Sequence, residues 1–233
     1  DFSVRTPAPV RFTLHLRIPG WCHAARLQVN GRPTRHVLKP GTFVRLNRTF
    51  SHNDRISLEL PMSINFVSWP EGGVSVEHGP LVYALKIDED WQEDLEQKGG
   101  RDFPAWQLYP RSPWNYALCI ASTTADRDVE IIRHPVASHP WSNDQAPIEL
   151  RMPARRVKGW KVQKRRRILR RDNLEPPHDM RDFYYRGDFR MTPPLPDPET
   201  LPERLSPRVE TVSLVPYGCT HLRVTVFPQE ARS

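Results

Sequence analysis

Phe12-Thr13-Leu14-His15-Leu16-Arg17-Ile18-Pro19-Gly20 decides the fold class. Phe12, Leu14, Leu16 and Ile18 point one way, and Thr13, His15 and Arg17 point the other. That period of two belongs to a strand with one buried and one wet face. Pro19-Gly20 ends it. Outward from here the pattern repeats. Leu27 and Val29 run into Asn30-Gly31, whose residues both tolerate the positive φ of a type I′ hairpin turn. Pro40-Gly41 turns again before Thr42 to Leu46. Ile56, Leu58, Leu60 and Met62 alternate with Arg55, Ser57 and Glu59, and Val74 to Val76 and Leu81 to Leu85 flank Gly79-Pro80. Closely spaced strands separated by turn residues predict an antiparallel all-β sandwich or barrel.

The middle of the chain is less regular. Asp88 to Lys98 is acidic and ends at Gly99-Gly100, so it reads as a short surface helix at best. Leu118 to Ala121, Val129 to Ile132 and Ile148 to Met152 are the next strands. Leu174 to Pro207 holds eight prolines among charged neighbours and reads as an irregular excursion. At the C-terminus Val212 and Leu214 alternate, Pro216-Tyr217-Gly218 turns, and Leu222, Val224 and Val226 alternate again, which predicts a closing hairpin.

Composition narrows the function classes. Twenty-five prolines against 11 glycines in 233 residues argue against long helices and coiled coils. No apolar run approaches the ~20 residues of a membrane-spanning helix. The net charge of +7 is local. Arg151 to Arg171 holds eleven of the 34 basic residues and no acidic one, leaving 23 basic against 27 acidic, or −4, elsewhere. Cys22, Cys119 and Cys219 lie about a hundred positions apart, unlike a zinc site or a disulfide framework, and read as buried thiols.

Five segments in order carry a family resemblance. They are Phe12 to Trp21, Val29-Asn30-Gly31, Asp54 to Met62, His78 to Ala84 and Leu214 to Pro228, with Pro153 to Trp160 as a sixth. Together they resemble the non-catalytic C-terminal half of glycoside hydrolase family 127, which contains β-L-arabinofuranosidases. The resemblance is weak between Asp88 and Asn143. It implies an α/α-barrel carrying the chemistry, followed by two β-sandwich domains, the second inserted into the first. On this chain it implies a first sandwich at residues 1–86 plus 208–230, closed by the C-terminal hairpin, and an inserted one at residues 87–207. The barrel would then lie upstream of Asp1. So would the family's cysteine nucleophile, its glutamate acid/base and its zinc site. No catalytic residue, cofactor site or metal site is therefore expected in this chain, which should be inactive alone. The implied partner is the barrel, with a homodimer as a further expectation. Compartment stays open between cytoplasm and secretion.

Other chemistry has less support in the residues. The acidic run Asp88 to Glu96 lacks an apolar pocket to raise a carboxyl pKa. His134 and His139 each precede a proline, which denies them the helical spacing of zinc ligands. Exposed aromatic rings stack on sugars, so a carbohydrate-binding module is the first alternative, with Trp106, Tyr109, Trp114 and Tyr116 as candidate contacts. The second is a nucleic-acid-binding or scaffold protein acting through Arg165, Arg166, Arg167, Arg170 and Arg171. No nucleic-acid fold surrounds these, so a solvated loop or a patch docking an acidic surface ranks above it.

Overall fold

The computed structural model describes residues 1–93, 104–120, 128–167, 187–191 and 193–231. Within them the chain is all-β, as the periodicity predicts.

The N-terminal unit contains β1 (Phe2–Ser3), β2 (Val10–Arg17), β3 (Arg26–Val29), β4 (Arg32–Pro33), β5 (Phe43–Phe50) and β6 (Arg55–Glu59). They form two sheets, β1-β6-β3-β4 and β2-β5. The apolar positions of both meet in a core of Leu16, Ile18, Leu27, Val29, Val44, Leu46, Phe50 and Ile56. The β3–β4 hairpin turns at Asn30 (φ 51°) and Gly31 (φ 74°), the left-handed pair that this dipeptide permits. Asn30 also receives the Arg55 N–H at 2.8 Å and donates to Asp54 at 2.7 Å, which ties the turn to β6. The two-stranded sheet leaves Val10, Phe12 and Phe43 exposed.

Beyond it lie β7 (Ile64–Trp69), β8 (Gly73–His78), β9 (Leu81–Leu85), β10 (Glu89–Glu93), β11 (Trp106–Pro110), β12 (Tyr116–Ile120), β13 (Glu130–Arg133) and β14 (Ile148–Val157). After them come β15 (Gln163–Arg167), β16 (Gly187–Met191), the single helical turn α1 (Leu201–Arg204), β17 (Leu205–Pro216) and β18 (Phe227–Ala231). The order β12-β18-β8-β9-β17-β14 returns to β12 through a direct β12–β14 pairing, so six strands close into a barrel. Strands β7 and β13 hang outside this ring, on β8 and β14. Every pair in the ring is antiparallel except β12–β18. Val74, Val76, Tyr83, Leu85, Leu118, Leu150, Met152, Leu214 and Phe227 are among the residues that fill its core. Among the described residues no helix is long and apolar enough to cross a membrane.

Several sequence expectations are corrected. The sheet details differ from a pair of sandwiches, since six strands close into a barrel. Strand β17 pairs with β14 and with β9, bringing Leu214 opposite both Leu150 and Leu85. The expected closing hairpin does not form. Residues 221–226 carry no strand, and β18 pairs with β8 and β12 rather than with β17. The alternation of Leu222, Val224 and Val226 has another cause, since Leu222 and Val224 pack on the barrel core as a flanking segment. The acidic run begins as strand β10 instead of a surface helix, because its period-two face pairs with β11 over five residues. The Pro-rich excursion contains β16, α1 and the start of β17, and its residues 174–186 lie outside those described.

Candidate functional site

Asp88 and Arg111 sit at the base of the β10–β11 hairpin. The Arg111 N–H donates to the Asp88 carbonyl at 2.8 Å, and the Asp88 N–H donates to Ser112 Oγ at 2.8 Å. These bonds clamp the chain entering β10 to the chain leaving β11. Between this base and the loop after β13 opens a cleft of about 710 Å³, lined by Lys86, Asp88, Glu89, Arg111, Asn143 and Asp144. Asn143 Nδ2 donates to the Ile87 carbonyl at 2.8 Å, while its Oδ1 is buried without a hydrogen-bond partner.

Glu89 joins the hairpin to the segment after β17. Its Oε1 accepts the His221 N–H at 2.9 Å and the Leu222 N–H at 3.3 Å, and its Oε2 lies 2.9 Å from His221 Nδ1. Its side chain is only 8% exposed. That burial opposes ionisation, but the His221 and Leu222 donors outweigh it and hold the carboxyl below its ordinary value. Glu149, on β14, behaves similarly. Burial opposes its charge, but the Ser213 hydroxyl at 2.8 Å, Arg151 at 2.9 Å and Lys86 at 3.4 Å keep it ionised.

The register of the hairpin sorts its side chains. Glu89, Trp91, Glu93, Trp106 and Leu108 share one face, and Asp90, Gln92, Gln107 and Tyr109 share the other. On the first face Trp91 and Trp106 meet edge-on at 6.3 Å, and Trp91 meets the His221 ring at 4.9 Å. The Trp91 indole also donates to Glu89 Oε2 at 3.3 Å.

Of the four aromatic residues singled out in the sequence, Trp106 alone stands on this face, and it is exposed. Tyr109 projects from the opposite face, where its hydroxyl donates to Gln107. Trp114 is half-buried against Trp160, 5.0 Å away, and against the small core of Ala117, Val157, Leu201 and Leu205. Tyr116 is buried in the barrel wall. Its hydroxyl donates to Glu210 at 3.0 Å, and Arg156 lies 5.7 Å over its ring. The barrel thus absorbs two of the four. Arg165, Arg166 and Arg167 lie on β15, paired with β16, whereas Arg170 and Arg171 lie outside the described residues. Sequence reasoning missed Trp91, His221 and Asn143. Trp91 was legible as an apolar position between Glu89 and Glu93, but the surrounding acids masked that alternation. His221 and Asn143 arrive from loops that no local pattern connects to the hairpin.

Comparison with known proteins adds a family. Residues 1–62 match the model of the β-L-arabinofuranosidase family 127 middle domain. Two solved structures share its fold along nearly its whole length. One is described as a glycoside hydrolase, at 19% identity and a TM-score of 0.53, over 99% of this chain and 30% of that one. The other is Ara127N-Se, a family 127 β-L-arabinofuranosidase from Geobacillus stearothermophilus T6, at 20% identity and a TM-score of 0.53, over 98% of this chain and 28% of that one. No curated protein matches. The family likeness thus covers residues 1–62, and along the rest of the chain the likeness is one of fold; the chain spans about 30% of the length of the structures it matches.

Proposed function

We propose that this chain is the non-catalytic all-β part of a glycoside hydrolase acting on terminal β-L-arabinofuranosides or related sugars, where it braces the catalytic barrel and contributes to a dimer. The observation that supports this most is the family 127 match over residues 1–62, at the start of a fold likeness that runs the length of the chain.

The chemistry of the residues supports the non-catalytic half of the reading. A thiolate nucleophile needs a depressed pKa and access. All three cysteines are buried. The Cys22 thiol donates to the Pro61 carbonyl at 3.5 Å and the Cys219 thiol to the Pro140 carbonyl at 3.3 Å, and burial pushes the Cys219 pKa up. A glycosidase acid needs a raised carboxyl pKa so that it holds a proton at neutral pH. Glu89 and Glu149 are both shifted the other way and stay ionised.

Two measurements test the reading. The purified chain should release no nitrophenol from p-nitrophenyl β-L-arabinofuranoside above the blank, and turnover that survives purification to homogeneity overturns it. The reading frame upstream of the Asp1 codon should continue with the helical patterning of an α/α-barrel. A start codon immediately upstream would refute the proposal.

A further inference from the structure

The indole face of the hairpin runs into the polar cleft, because Glu89 belongs to both. Along β10, side chains two residues apart on one face stand about 7 Å apart, roughly one monosaccharide. Trp91 and Trp106 are 47% and 49% exposed, a large apolar area to leave in water, and their planes meet at 72°. They form a corner beside the cleft rather than a closed contact.

The cleft residues divide into those already engaged and those still available. Glu89 is engaged with residues 220–222 and Lys86 with Glu149. The carboxylates of Asp88 and Asp144 and the guanidinium of Arg111 make no hydrogen bond or ion pair with another described residue. Asn143 Oδ1 is buried and its Nδ2 is bonded to the Ile87 carbonyl, so this side chain shapes the cleft wall and is not among the available groups. Two free carboxylates and one free guanidinium thus line a cleft that shares Glu89 with the Trp91 indole, a polar wall next to an apolar one.

We infer that this corner binds a neutral saccharide. The C–H face of one sugar ring packs on Trp91 or Trp106. Hydroxyls of that ring or its neighbour donate to Asp88 and Asp144, while Arg111 donates to a sugar oxygen. Two available carboxylates against one available guanidinium repel uronates and sugar phosphates. A metal ion is not the occupant that the geometry favours, because among the described residues no three His, Cys, Asp or Glu side chains are grouped to hold one. The inference does not rest on the hydrolase reading, since the site uses no catalytic group.

The full chain is titrated calorimetrically, and by tryptophan fluorescence, with neutral oligosaccharides from arabinan, xylan and galactan. Oligogalacturonate and calcium chloride serve as comparisons. At least one neutral oligosaccharide should saturate. W91A and W106A should each weaken it about tenfold or more, or 1.4 kcal/mol. W69A, which removes an exposed tryptophan on β7, away from the cleft, should leave binding unchanged. D88N and R111Q alter only solvent-facing groups, keep the site falsifiable should a tryptophan variant misfold, and should each weaken binding several-fold. Lack of saturation with every neutral oligosaccharide overturns the inference, as does tighter binding of oligogalacturonate or calcium. Unchanged affinity in both D88N and R111Q would also sink it.

Discussion

Replacing Glu89 tests how the hairpin is held to the barrel. In Glu89→Ala the His221 and Leu222 N–H groups lose their acceptor, and the His221 ring and the Trp91 indole lose theirs. A hydrogen bond to a charged group contributes about 1.5–3 kcal/mol. His221 is exposed, so water takes over part of the lost bonding, and a net loss of about 2–3 kcal/mol is expected. Glu89→Gln keeps an oxygen for one backbone donor and loses the charge, so about 1 kcal/mol is expected. The sign with pH follows from the depressed carboxyl value. Ionisation stabilises the folded state fully above the unfolded value of 4.5, and that contribution fades as pH falls through the lower folded value. The Glu89→Gln deficit should therefore shrink as pH falls below about 5. Urea unfolding followed by near-ultraviolet circular dichroism reads both quantities. A Glu89→Ala loss below about 0.5 kcal/mol, or a Gln deficit that grows as pH falls below about 5, would refute the reasoning.

Leu214→Ala opens a cavity between Leu85 and Leu150 in the barrel and should cost about 2–5 kcal/mol in urea unfolding at neutral pH. Gly31→Ala has open space around its new methyl and meets only the positive-φ penalty, about 1 kcal/mol. Gly73→Ala should cost more, because its methyl would stand 2.6 Å from both Leu195 and Val226, and the comparison of unfolding midpoints checks that order. The three cysteines should react with Ellman's reagent in the folded protein far more slowly than in urea, and a rapidly reacting native thiol would contradict their burial.

Alternation of Leu14, Leu16 and Ile18, and of Val74 and Val76, was enough to read an all-β chain, because the strand period is local and each side chain reports its own face. Asn30-Gly31 and Pro40-Gly41 were equally legible, since positive φ is a property of two residues and their immediate backbone. The family resemblance was legible for the same reason, as an ordered series of such local pieces. Ring closure was not. Whether β17 meets β14 and β9 or folds back on a hairpin partner depends on which of several similar apolar faces lie together across more than a hundred residues, and alternation is the same in every arrangement. The site followed the same rule. Trp106 was visible as an aromatic residue, but its separation from Tyr109 is set by strand register, and Trp114 and Tyr116 were taken up by a core that exists only once the barrel closes. Trp91, Glu89 and His221 come together because a buried carboxylate and a loop far along the chain satisfy one another's hydrogen bonds, while Asn143 is held separately by the Ile87 carbonyl, and only the tertiary structure decides that.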